Sequence, residues 1–125
     1  MQKNSEIKKI LLIDDDEIHL STVENILKIK YEIVCTKSGE DSLELIHQGF
    51  TPNLILLDIL MSNMDGWETY LKLRSISFLE TVPIVFFTSV IETVEKKHAE
   101  EIGAADYITK PFEKDDLIRR IEKVI

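Results

Sequence analysis

The sequence predicts an α/β domain in which five parallel strands alternate with five helices in a doubly wound sheet. Three observations carry the prediction. Short apolar runs alternate with amphipathic ones along the chain. The runs ILLI (residues 10–13) and LILL (54–57) hold no polar residue, as strands covered on both faces require. Polar residues collect where such runs stop: Asp14 and Asp15 after the first, Asp58 after the third, Thr88 and Ser89 after the fourth, Thr109 and Lys110 after the fifth. A parallel sheet gathers its chemistry beyond the carboxyl ends of its strands, at the switch in strand order.

The elements follow in order. KKILLID (8–14) is the first strand. Asp16 to about Lys28 is a helix, with Leu20, Val23, Ile26 and Leu27 at helical spacing. YEIVCT (31–36) is the second strand, and Ser38–Gly39 turns into a helix carrying Leu43, Ile46 and Phe50 on one face. NLILLD (53–58) is the third strand, and NMDGW (63–67) opens a helix after a glycine-containing loop. PIVFFTS (83–89) is the fourth strand, entered from Pro83. Ile91 to Ile102 reads as a helix with few apolar positions. ADYIT (105–109) is a short fifth strand, and residues 113–125 form a last helix with Leu117, Ile121 and Val124 inward.

Residues 1–125 are enough for one domain with a real core, and 44% apolar with 30% charged residues is a globular composition. A net charge of -8 argues against a nucleic-acid surface, because nothing neutralises phosphates in bulk. The lone cysteine, Cys35, permits no internal disulfide and reads as a small buried hydrophobe in a reducing compartment. The basic start MQKNSEIKK leads into only four apolar residues that end in aspartates, which is no signal peptide. No stretch reaches membrane-spanning length, so a cytoplasmic location is expected. Trp67 reads as packing, and His19, His47 and His98 as surface residues without metal-ligand spacing, His19 lying nearest the acidic run.

Asp14, Asp15 and Asp58 would converge from neighbouring strands, with the Thr88 hydroxyl and the Lys110 ammonium opposite. Uncompensated, such carboxylates repel and resist desolvation. A hard divalent cation removes the conflict, and Mg²⁺ suits a few carboxylates, a carbonyl and retained waters. Asp16 is then left to cap the first helix.

These residues resemble the receiver domain of two-component response regulators. The match comprises the pair Asp14–Asp15 after ILLI, Asp58 closing NLILLD, Thr88 closing IVFFT, and Lys110 in ITKPF. Spacings agree as well: 43 residues from Asp15 to Asp58, 30 on to Thr88, and 52 from Asp58 to Lys110. Met64–Gly66, the GAADYI run and Tyr107 add to it, so the resemblance covers essentially the whole chain. It implies a flavodoxin-like receiver fold and a phosphoacceptor rather than a turnover enzyme. Asp58 would take a phosphoryl group from a phosphohistidine on a sensor histidine kinase or histidine phosphotransfer protein. Asp15 would bind Mg²⁺ directly and Asp14 through water, with Asp58 and the Leu60 backbone carbonyl completing the site. Lys110 and Thr88 would contact phosphoryl oxygens, and a cis Lys110–Pro111 bond would aim Lys110 inward. Thr88 and Tyr107 would switch together, and residues 91–125 would meet a downstream protein or an output domain.

Two departures from the family pattern matter. Ser62 stands where the family usually places proline, which predicts a more mobile loop over Ile59–Met64. Leu60 and Val90, two residues after Asp58 and Thr88, are apolar and predict slow loss of the phosphoryl group. Asp14-Asp15-Asp16 also fits the DxD of haloacid-dehalogenase-like phosphatases, with Asp14 as nucleophile and Asp16 as acid/base. That reading leaves the Asp58–Thr88–Lys110 spacing as coincidence. A receiver-like module that is never phosphorylated is a further alternative, disfavoured by the complete acidic pocket. A flavodoxin-like electron carrier lacks support, since no Ser/Thr/Gly-rich phosphate loop follows the first strand. Both a stand-alone receiver and the receiver portion of a longer regulator are compatible with the sequence.

Overall fold

The computed structural model describes residues 6–125; the opening MQKNS of the basic N-terminal stretch lies outside them. The elements run β1 (Lys9–Ile13), α1 (Glu17–Leu27), β2 (Glu32–Thr36), α2 (Gly39–His47), β3 (Leu54–Leu57), α3 (Gly66–Arg74), a 3₁₀ turn (Ser77–Leu79), β4 (Ile84–Thr88), α4 (Thr93–Glu101), β5 (Asp106–Thr109) and α5 (Lys114–Val124). All strand pairs are parallel, in the order β2-β1-β3-β4-β5. The chain leaves β1 for the β2 edge and returns to β3 on the other side. The switch in strand order therefore falls between β1 and β3, whose tips carry Asp14 and Asp58.

Strand alternation divides the core in two. Ile10 and Leu12 of β1 pack with Leu20, Val23 and Leu27 of α1 and with Leu117 and Ile121 of α5. Leu11 and Ile13 face the opposite layer, where Ile46 of α2, Tyr70 and Leu73 of α3 and Ala99 of α4 pack. Each fully buried Leu or Ile contributes about 1.5–3 kcal/mol. The central strands β1 and β3, covered by both layers, accordingly contain no polar residue after Lys9 at the start of β1. Val124, predicted inward, is partly buried against the first layer.

The helix ends show which residues set the limits. Asp16 caps α1 as expected, accepting hydrogen bonds from the Ile18 and His19 N–H groups, and the helix proper begins at Glu17. Ser38, Asp65 and Glu113 cap α2, α3 and α5 in the same way. α2 stops at His47 because Gly49 takes a left-handed φ of 108° just past its end. Phe50, expected on the helix face, lies beyond the helix yet still packs on the second layer. α4 is shorter than predicted, has no side-chain cap, and buries only Ala99. Among the described residues no helix is long and apolar enough to cross a membrane. Cys35 is half-buried with Sγ 3.9 Å from Glu24 Oε1, and burial pushes its thiol up to about 11, as an unreactive packing residue requires.

Candidate functional site

Backbone pairing continues past the strands and fixes the acidic residues. The Asp14 N–H donates to the Thr36 carbonyl at 3.1 Å, and the Asp58 N–H donates to the Ile13 carbonyl at 3.0 Å. Asp14 is fully buried, Asp58 is 5% exposed, and Asp15 stands open to solvent. One oxygen from each of Asp14, Asp15 and Asp58 lies within 4.8 Å of the other two.

Lys110 enters from the end of β5. Its Nζ is 2.7 Å from Asp14 Oδ2 and 3.6 Å from Asp58 Oδ2, and it sits 4.5 Å from the centroid of the Phe87 ring. The Lys110 N–H donates to the Thr88 carbonyl at 2.8 Å, tying β5 to β4 at the pocket. The Lys110–Pro111 peptide bond is cis, as predicted. Thr88 is fully buried, and its Oγ1 accepts a hydrogen bond from the Val90 N–H at 3.3 Å. Asp58 Oδ1 accepts from the Ile59 N–H at 2.8 Å, which leaves Oδ2 facing Lys110.

Three carboxylates face one ammonium. Burial pushes the Asp58 carboxyl above its ordinary value; the Lys110 ammonium pulls it down, the Asp14 charge adds to the rise, and the Thr88 hydroxyl and Ile59 N–H oppose it. Hard carboxylate oxygens at this separation suit a divalent cation of the Mg²⁺ type. Asp16, by contrast, spends its side chain on the α1 cap, so the phosphatase alternative loses its acid/base.

Tyr107 lies half-buried on β5, its ring 6.3 Å from that of Phe86 and its hydroxyl donating to the Val90 carbonyl at 2.7 Å. Burial, with the charges of Glu95 and Glu92 adding, pushes its phenol up to about 12. Leu60 exposes 59% of its surface at the pocket mouth, and Val90 is partly buried.

Two residues enter the site beyond those that the sequence pattern assigns to it. His19, treated as a surface residue, has Nδ1 2.9 Å from Lys110 Nζ and 3.4 Å from Asp14 Oδ2. The signal was its place three residues after the capping Asp16, one turn into a helix that starts at the pocket rim. Ser62 donates from its N–H (3.2 Å) and its hydroxyl (3.4 Å) to Asp15 Oδ2. Beside Lys110 a groove of about 460 Å³ runs between α1 and the segment after β5, walled by Thr22, Ile26, Pro111 and Phe112. Trp67 packs as predicted, with ring centroids 4.8 Å from Phe86 and 4.6 Å from His98.

Acidic residues at the β1/β3 switch thus face a lysine that follows β5 and a threonine that ends β4. Residues 10–122 fit the family described as response regulator receiver domain, and the chain belongs to it. The transcriptional regulatory protein CrdR of Helicobacter pylori is 33% identical over 118 residues, covering 93% of this chain and 54% of CrdR. The chain thus spans about half the length of that relative. A Chloroflexus aurantiacus protein described as a response regulator is 29% identical, with a TM-score of 0.88 over 95% of this chain and 98% of its own. The Mn²⁺-bound form of the response regulator Rcp1 is 25% identical, with a TM-score of 0.79 over 94% of this chain and 91% of its own.

Proposed function

We propose that the chain takes a phosphoryl group onto Asp58 from a phosphohistidine, in a Mg²⁺-dependent step, and that this changes what its α4–β5–α5 face binds. The observation that carries the reading is the meeting of Asp58 with Asp14, Asp15, Thr88 and Lys110 at one strand-order switch. Asp14, Asp15, Asp58 and the Leu60 backbone carbonyl would hold Mg²⁺, as fits the carboxylate set and the metal-bound relative. The cation neutralises charge that otherwise opposes a phosphate approaching carboxylates.

Asp58 Oδ2 is the attacking atom, because Oδ1 is engaged by the Ile59 N–H. The bond from phosphorus to the donor imidazole nitrogen breaks as the bond to Oδ2 forms, and the imidazole leaves with a proton from solvent. Lys110 moves its ammonium from the carboxylates to a phosphoryl oxygen. The Thr88 oxygen accepts from the Val90 N–H, so its own proton is directed to another phosphoryl oxygen. A shift of Thr88 is felt by Tyr107, since both hold Val90. The acyl phosphate is the signal and no product is turned over. The groove beside Lys110 offers a wall for the donor, a sensor histidine kinase or histidine phosphotransfer protein of the cytoplasm. Residues 91–125 meet a downstream protein or an output domain. Apolar Leu60 and Val90 position no hydrolytic water, which favours a long-lived phosphoryl group.

Intact mass after incubation with acetyl phosphate tests this, with Mg²⁺ or EDTA, on wild type and Asp58→Ala. One Mg²⁺-dependent phosphoryl adduct, absent from Asp58→Ala, is expected. An adduct that survives Asp58→Ala moves the nucleophile to another residue, Asp14 first, and overturns the assignment.

A further inference from the structure

The acidic pocket has one member that the sheet does not hold. Asp14 and Asp58 are buried, and each is pinned through its backbone to a neighbouring strand. Asp15 lies beyond β1 and is exposed, so its carboxylate must be oriented by something outside the sheet. Ser62 provides this from the loop that follows β3, with two donors converging on one oxygen, Oδ2. Both donors fall on Oδ2, and one oxygen of this carboxylate lies within 4.8 Å of an oxygen of Asp14 and of Asp58. At Asn63, the next residue, the chain turns through a left-handed φ of 64°, a conformation asparagine tolerates better than most side chains. A proline at position 62 would have neither the N–H nor the hydroxyl.

We infer that Ser62 is a positioning residue for the divalent cation, holding the exposed Asp15 carboxylate in its ligating orientation through its N–H and hydroxyl. The inference rests on the reading that the acidic pocket takes Mg²⁺. A freely rotating carboxylate loses rotamer entropy when it ligates, and one already turned by two hydrogen bonds loses less. Ser62 is uncharged, so replacing it leaves the charge of the pocket untouched. Any change in affinity then reports orientation and not electrostatics.

The test is metal binding without phosphorylation. Titration calorimetry with Mg²⁺, and electron paramagnetic resonance with Mn²⁺, are applied to wild type, Ser62→Ala, Ser62→Thr, Ser62→Pro and Asp15→Asn. With one exposed hydrogen bond lost, Ser62→Ala should bind about threefold more weakly; with both lost, Ser62→Pro should bind about tenfold more weakly. Ser62→Thr, which restores the hydroxyl, should come within about twofold of wild type on the same scale. Metal-free melting temperatures should stay unchanged across the serine variants, which a merely structural role would not predict. Equal or tighter binding by Ser62→Ala and Ser62→Pro overturns the inference while leaving the cation site standing. A wild type that binds no Mg²⁺, or an Asp15→Asn variant that binds it as well as wild type, overturns the cation reading itself.

Discussion

Asp58 shows at the residue scale what the pocket costs and why. Its carboxyl is almost fully buried beside Asp14, and burial outweighs the pull of Lys110, so its folded pKa lies above the ordinary 3.8. The stability this confers is fully present below the unfolded pKa and is lost as pH rises through the folded one. Above its folded pKa the metal-free protein therefore carries an ionised Asp58 at a net cost. Asp58→Asn keeps the shape and removes the charge, and it should stabilise the metal-free protein at pH 7 by about 1–2 kcal/mol. Urea denaturation in EDTA at pH 7 and at pH 3.5 checks this, because the gain should shrink at the lower pH. Added Mg²⁺ should narrow the difference by stabilising wild type alone. The five residues Asp14, Asp15, Asp58, Thr88 and Lys110 were legible in the sequence because strand ends of one parallel sheet must lie together. The reach of His19 and the grip of Ser62 were not, because they depend on a helix rotamer and a loop path that no periodicity encodes.

At the scale of elements, the start of α3 is built against the backbone of Asp58. The Gly66 N–H donates to the Ile59 carbonyl at 2.8 Å. A methyl group at Gly66 would overlap the Asp58 carbonyl and stand 2.6 Å from the Ile59 Cα, and neither backbone group can yield as a flexible side chain would. Gly66→Ala should therefore destabilise the protein by about 2–3 kcal/mol through overpacking. It should also slow adduct formation with acetyl phosphate, since relief of the clash displaces Asp58. Thermal unfolding and the rate of adduct formation check the two halves separately. The existence and type of every predicted element were readable from apolar spacing. Their limits were set by capping side chains and by Gly49: Asp16 caps α1 as its position predicts, whereas Phe50 fell on the wrong side of a helix end. α4 was weak in the sequence for the reason it is short in the structure: it has one buried residue and no capping side chain.

For the whole molecule, one fact of topology joins the pocket to a distant face. β4 and β5 pair in register, so that Phe86 lies opposite Tyr107 and Thr88 opposite Thr109. The strand that ends in the pocket is therefore bonded to the strand that carries Tyr107, and α4 follows from the loop that both Thr88 and Tyr107 grip. Sequence alternation was sufficient for this architecture because a doubly wound parallel sheet needs apolar central strands and amphipathic covering helices. The few apolar positions over 91–102 already marked one covering helix as unlike the others. α1 and α5 bury several side chains each on one face, whereas α4 rests on the other through Ala99 and the edge contact of His98 with Trp67. That contact gives the protein an optical gauge. Trp67 is the only tryptophan in the chain, and its indole lies between Phe86 of β4 and His98 of α4. Any displacement of α4 that withdraws the imidazole changes the surroundings of a single fluorophore. Acetyl phosphate with Mg²⁺ should accordingly change the emission of wild type and leave that of Asp58→Ala unchanged. The state of α4 can then be followed in real time without attaching a label.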